Sequence, residues 1–333
     1  MKSSLANQLI TKSASQLKFF ASFCCLTIAI SSSAQLKWWK APDSLSDGLP
    51  ASVKIFYTND SLEGKPFIAY YIEAELKDKK LNFTTQAGNG KRLTPAQFYE
   101  SEKRPLVVVN GTFFSFQTNQ NLNVLMRNGK LKAYNVTSLK GRGKDSTRFY
   151  YITRSAIGID KKRNADVAWI FTDSSKRHPY AFEDSPVVAI GRSKSPNLRS
   201  LQRFDYNKWR MRTAIGGGPA LIHDGQIKIT NKPEQMFVSG EKDKHPRTAM
   251  GYTKNGKLII LVIQGRFPGK AEGATLQQEA QILYDLGCYE ALNLDGGGSS
   301  CMLVNGKETI KPSDTTGQRP VPGVFIINSK IAQ

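Results

Sequence analysis

Apolar positions in this chain recur in short runs or with a period of two, the spacing that buries one or both faces of a β-strand. Val53 to Thr58, Phe67 to Leu76 and Leu81 to Thr84 read as strands. Ile68, Tyr70, Ile72 and Ala74 alternate with their neighbours, and Asp78-Lys79-Lys80 forms a hairpin tip between two of these strands. Leu106 to Val109 and Leu258 to Ile263 are continuous apolar runs, the pattern of strands buried on both faces. Ala249 to Tyr252 and Ala291 to Leu294 add two more. Asn128-Gly129, His223-Asp224-Gly225, Asn255-Gly256 and Asn305-Gly306 each separate apolar runs. Asn-Gly and Asp-Gly supply the positive φ angles of tight hairpin turns.

The helical period is clearest over residues 276–286, where Leu276, Ala280 and Leu283 share one face. Thr275 and Gln278 form a capping box, and Gly287 suits the C-terminal stop. Thr94-Pro95 opens a shorter helix, with Thr as N-cap and Pro at the first helical position. Residues 138–148 and 192–210 are polar and basic and read as excursions from the core. These signals together give an α+β fold: a strand-rich mixed sheet with one principal helix (276–286) and several short hairpins. Residues 35–50, with Pro42, Gly48 and Pro50, read as a linker. Residues 51–104 form an N-terminal strand-rich segment packed on a main domain over 105–328.

The first 34 residues differ from the rest. Lys2, Lys12 and Lys18 precede an apolar run from Phe19 to Ile30, and Ser32-Ser33-Ala34 offers a small-residue cleavage site. This is the layout of a secretory signal peptide. It implies a secreted or periplasmic protein cut near Ala34 with no transmembrane anchor afterwards. Only Cys288 and Cys301 would survive cleavage, as a bridge that export permits or as two buried thiols. The net charge of +20 points to anionic partners, although the lysines are scattered and a solvated basic surface reads equally well. Stacking and base-reading motifs are lacking, so a nucleic-acid partner is not expected.

Candidate chemistry follows the buried strands. Asn293-Leu294-Asp295-Gly296-Gly297-Gly298-Ser299-Ser300 sets a carboxylate at a strand end, followed by three glycines and two hydroxyls. A carboxylate there can move a proton, hold a cation or attack an anomeric carbon. The glycines let backbone N–H groups approach an anion, where a plain turn would need only one or two. His245-Pro246-Arg247-Thr248 precedes a strand, and its arginine and threonine could clamp a phosphate. Gln264-Gly265-Arg266 places a second guanidinium at a strand end. Gly216-Gly217-Gly218-Pro219 is another close-approach segment, or a bulge before a hairpin. Val109-Asn110-Gly111-Thr112-Phe113-Phe114 puts an amide directly after a buried strand, with the two phenylalanines read as core. His178 and His223 lie in polar or turn contexts, and no histidine pair has zinc-ligand spacing.

In this order the segments resemble the phosphodiester glycosidase family. Its Asn-Gly-Gly-Phe-Phe type motif is met at Asn110, Gly111, Phe113 and Phe114, and its Gly-Gly-Gly-Pro segment at Gly216 to Pro219. Its Arg-Thr pair is met at Arg247 and Thr248, its Asp-Gly-Arg motif at Gly265 and Arg266. The Asn-Leu-Asp-Gly-Gly-Gly-Ser-Ser block is matched throughout Asn293 to Ser300, and a closing Arg-Pro-Val-Pro lies at Arg319 to Pro322. Thr112 departs from a family glycine and Gln264 from a frequent aspartate.

The resemblance implies a catalytic domain over 105–328 that hydrolyses a sugar-1-phosphate diester at the anomeric carbon, with a phosphorylated glycan or sugar-phosphate diester as substrate. Asp295 would be the nucleophile or base and Glu279 a second carboxylate. Asn110, Gly217, Gly218, Arg247, Thr248, Arg266, Asn293, Gly296, Gly297, Ser299, Ser300 and Arg319 would bind substrate. A Ca²⁺ or Mg²⁺ ion near Asp295 and Asn110 would suit the oxygen ligands. The alternative is a non-catalytic binder of anionic envelope glycans that keeps the cleft, a reading the Gln264 departure allows.

Overall fold

A computed structural model describes residues 35–186, 188–201 and 205–330. The proposed signal peptide lies outside the described residues. Residues 35–50 carry a two-residue strand, Trp39–Lys40, paired on Val53–Thr58, and a four-residue helix, Asp43–Ser46.

Strands dominate, and they form several antiparallel sheets, not the mixed sheet expected. An eight-stranded sheet runs in the order Trp39–Lys40, Val53–Thr58, Ala69–Glu75, Lys257–Ile263, Arg247–Thr253, Cys288–Asn293, Ala220–His223 and Gln226–Ile227. A five-stranded sheet is centred on Val107–Asn110 and Gly323–Ser329, and a seven-stranded one on Arg154–Ile159 and Thr213–Gly216. Each of these pairings is antiparallel, as hairpin-rich connections favour. Asn128-Gly129, Asp224-Gly225 and Asn305-Gly306 turn with both residues at positive φ, the geometry of a two-residue hairpin.

One core joins the three large sheets. Ile72, Met250, Ile260 and Leu292 from the first pack with Val107, Val109 and Phe325 from the second and Leu125, Ile157 and Ile215 from the third. The opposite face of the eight-stranded sheet is covered by the helix Leu276–Asp285. Its Leu276, Ala280 and Leu283 pack on Ala249, Ile259, Leu261 and Ala291. Both capping-box bonds form between Thr275 and Gln278, and Gly287 follows at positive φ. The shorter helix Pro95–Ser101 has its own capping box at Thr94 and buries Phe98 against Val108, Leu303 and Ile326. No helix among the described residues is long and apolar enough to cross a membrane.

Candidate active site

Five strand ends meet at one place. Arg247 opens a strand whose register pairs it with Ile263, the last residue of its neighbour, and Ala249 pairs with Asn293, the last of the next. Asn110 ends its strand beside them and Gly216 ends another.

Asn110 holds this junction together. It is fully buried, and its Nδ2 donates to the Asp295 carbonyl at 2.6 Å. Its Oδ1 accepts from Thr248 Oγ1 at 2.9 Å and from the Cys301 N–H at 3.0 Å. The Asp295 N–H donates to Gly111 O at 2.8 Å, so the loop is fixed from both sides. Burying an amide requires that its hydrogen bonds be made, and here they are made to protein. Asn110 and Thr248, expected to bind substrate, are therefore committed to positioning the Asp295 loop. The glycines expected to offer N–H groups are likewise corrected. Gly217 N–H donates to Ser155 O and Gly218 N–H to Asn293 O, while their carbonyls accept from Asn123 Nδ2 and Asn293 Nδ2. A side chain at Gly217 would strike the Asn293 carbonyl, so close backbone packing explains the glycine without a ligand.

Asp295 is partly exposed as a residue, yet its Oδ2 is buried and has no hydrogen-bond partner among the described residues. Burial pushes its carboxyl up to about 7, against the lowering effects of the Ser299 hydroxyl, the Arg319 charge and the Gly296 N–H. Asn293 Oδ1 and Ser300 Oγ are two further buried oxygens without partners. Two guanidiniums lie on the glycine loop. A Cβ at Gly297 would come within 3.0 Å of Arg266 Nη2, and one at Gly298 would overlap the Arg319 guanidinium. Arg319 is held by Asp314 at 2.6 Å and reaches Ser299 Oγ at 3.5 Å with its other edge. The glycines thus make room for cations beside a carboxyl.

Other expected residues sit behind this surface. Arg247 is 2% exposed; its Nε and Nη2 donate to the carbonyls of Ala274 and Asp243, and its guanidinium lies over the Phe237 ring at 5.7 Å. Glu279 is wholly enclosed, both its oxygens lack partners, and burial lifts its carboxyl to about 8 despite the Arg247 charge. With no exposed surface, Glu279 is out of reach of a substrate bound beside Asp295. Gln264 accepts from the Lys311 N–H at 2.8 Å, so the departure from the family aspartate falls at a structural bond. Thr112 bonds Asn121 in place of the family glycine.

The donor set does not suit the cation expected near Asp295 and Asn110. Ca²⁺ takes six to eight oxygen ligands. Asn110 Oδ1 already accepts twice, which leaves the Asp295 carboxylate with Asn293 Oδ1 and Ser300 Oγ, fewer than six oxygens, and the Arg319 charge lies beside that carboxylate.

Several residues escape a reading of the sequence. Asn123 accepts from Phe113 N–H and donates to Gly217 O, linking two motif segments. Glu234 is fully buried and accepts from Ser155, Trp169, Ala220 and Thr230. His245 has a buried Nδ1 with no partner, and burial with the Arg247 and Arg266 charges holds it below its ordinary value. Its place in a four-residue motif was the available signal. His223, read as a turn residue, pairs with Glu290 at 3.3 Å nearer the other end of the Cys288–Asn293 strand. Cys288 and Cys301 are both free and buried.

Residues 103–328 match the family described as phosphodiester glycosidase. The bovine N-acetylglucosamine-1-phosphodiester alpha-N-acetylglucosaminidase is 37% identical over 109 residues, which is 30% of this chain and 20% of that protein. The match thus spans about a fifth of that relative's length. The zebrafish enzyme's catalytic domain, auto-inhibited by its pro-peptide, superposes with a TM-score of 0.57 at 22% identity over 89% of each chain. A Synechocystis protein superposes with a TM-score of 0.62 at 15% identity, covering 86% of this chain and 65% of its own. With two-thirds of its length matched and the family's motif segments bonded to one another around Asp295, the chain belongs to the phosphodiester glycosidase family.

Proposed function

We propose that this protein hydrolyses a sugar-1-phosphate diester at the anomeric carbon, outside the cytoplasm. The observation that carries the reading is one carboxyl, Asp295, raised to about 7 on a glycine loop with two guanidiniums laid against it. Water adds at the anomeric carbon, the bond to the phosphate oxygen breaks, and its electron pair leaves with the phosphate. A free sugar and a phosphomonoester result.

The leaving group is already a stable anion, so cations that hold it matter more than a strong acid. Arg266 and Arg319 are the clamp. Arg247, whose guanidinium is buried and already bonded, orients the strand end behind them. Asp295 faces the positive charge that develops on the sugar, as nucleophile or as base for water. Phe116 is 62% exposed and lies between Arg92 and Arg319, each 5.5 Å from its ring, which extends the basic rim.

Export rests on the charge and apolar pattern of residues 1–34, and N-terminal sequencing of protein recovered from medium or periplasm tests it. The activity is tested by sugar release from UDP-GlcNAc and a panel of sugar-1-phosphate methyl diesters, with wild type beside Asp295→Asn. Turnover that disappears in the variant supports the reading. Absence of turnover across the panel, with saturable binding kept, would replace it with a glycan binder.

A further inference from the structure

A cavity of about 450 Å³ abuts this site. Phe113, Leu122, Val136, Leu139, Met236 and Phe237 make most of its wall. Its wall is linked to the catalytic junction through bonded neighbours. Phe113 is two residues from Gly111, whose carbonyl holds the Asp295 N–H, and its ring lies 5.8 Å from that of Phe237. Phe237 carries the Arg247 guanidinium on its face. Asn123, also in the wall, joins the Phe113 segment to Gly217.

Two features mark the cavity as built for a ligand. Gln235 and Phe237 both line it with backbones in the left-handed region, φ 52° and 51°, which a bulky aromatic rarely adopts. The short segment carrying them is anchored by Glu234, whose carboxylate is tied to three strands or strand ends at Ser155, Trp169 and Ala220. The second feature is Arg154. It reaches the same wall from the seven-stranded sheet, its Nε is buried without a partner, and it forms no ion pair among the described residues. An arginine in an apolar wall is costly unless an anion meets it. Among the described residues the carboxylate whose charge reaches Arg154 is that of Glu234, and its oxygens are already occupied by five donors.

We propose that this cavity is the aglycone subsite, and that it takes an aglycone with an aromatic or short alkyl body bearing a second anionic group, which pairs with Arg154. The volume falls within the 300–1,000 Å³ typical of small-molecule sites. The inference rests on the diester hydrolase reading, since it takes the phosphate to lie at Arg266 and Arg319 with the aglycone extending past Phe113. Discrimination would come from the far end of the leaving group: an aglycone without the anion leaves Arg154 desolvated and unpaired.

The test compares three diesters of one sugar-1-phosphate, with methyl, benzyl and 4-carboxybenzyl aglycones, on wild type, Arg154→Met and Arg154→Lys. The expected result is a kcat/KM at least tenfold higher for 4-carboxybenzyl than for benzyl in wild type. That ratio should fall to about one in Arg154→Met and be partly kept in Arg154→Lys, whatever happens to absolute rates. Equal values for the two aromatic diesters in wild type, or an unchanged ratio in Arg154→Met, overturns the subsite. If wild type cleaves none of the three, the hydrolase reading fails separately. Calorimetric binding of 4-carboxybenzyl phosphate against benzyl phosphate then decides the cavity: a preference lost in Arg154→Met upholds an anion site, and equal affinities refute it. Circular dichroism on both variants separates loss of the ratio from loss of the fold.

Discussion

Replacing Asp295 by Asn should abolish turnover and, at the same time, make the protein more stable above pH 7. Burial raises the carboxyl from 3.8 to about 7, so the folded state binds its proton more tightly than the unfolded chain does. The stability contributed by the neutral form is complete below pH 4 and is lost as pH rises through 7. Roughly three pKa steps at 1.36 kcal/mol each amount to about 4 kcal/mol lost by pH 8. Asparagine does not ionise and carries no such dependence. Its amide does leave a polar atom at the partnerless Oδ2 position, which costs about 1–3 kcal/mol. The variant is therefore expected to be more stable than wild type by about 1–3 kcal/mol at pH 8 and less stable by a similar amount at pH 4. Urea unfolding followed through the buried Trp169 and Trp209 measures this at pH 4, 6 and 8. Taking differences at each pH cancels the titration of all other groups. A stability difference that stays constant within about 0.5 kcal/mol from pH 4 to pH 8 would refute the buried, destabilising carboxyl and with it the assigned role.

Asn110→Ala removes three hydrogen bonds and strands the Thr248 hydroxyl, the Cys301 N–H and the Asp295 carbonyl; it should destabilise by about 3–5 kcal/mol, seen as a fall of roughly 10 °C in Tm. A shift below about 2 °C would mean that the junction does not depend on this amide. Gly298→Ala drives a methyl group into the Arg319 guanidinium and should lower kcat/KM for diesters at least tenfold while the circular dichroism spectrum stays unchanged. Wild-type kinetics in that variant would remove Arg319 from the clamp. Exhaustive dialysis against EDTA should leave turnover intact, because Asn110 Oδ1 is occupied and the Arg319 charge lies close enough to Asp295 to disfavour a second cation; activity lost on chelation and restored by Ca²⁺ or Mg²⁺ would restore a cation to the mechanism.

What the sequence makes legible here is what local chemistry decides. The Thr275–Gln278 box, the Asn-Gly and Asp-Gly hairpins and the apolar run at Lys257–Ile263 depend on neighbours a few residues away, and their structures follow from them. The hairpin Arg154–Ile159 with Ala165–Phe171 escapes notice because its turn, Asp160 to Asn164, lacks a marker dipeptide, although Val167 to Phe171 is a buried apolar run. The site divides in the same way. Motif residues are recognisable one by one, but sequence cannot separate those that face a ligand from those that hold them, since both are polar and both end strands. Burial makes the separation: Asn110, Thr248, Asn293, Ser299 and Ser300 are at most 1% exposed, while Arg266 is in the solvent. Glu234 shows the limit most clearly. It lies in a charged, proline-containing stretch that reads as surface loop, yet its five donors come from residues 155, 169, 220 and 230, which only the folded chain brings together. At Asp295 one carboxylate oxygen is buried without such a donor among the described residues, and burial pushes that carboxyl up. Two acidic residues are thus set apart by the donors that the folded chain brings to each, five at Glu234 and none among the described residues at Asp295 Oδ2, a difference that lies in the fold and not in the local sequence.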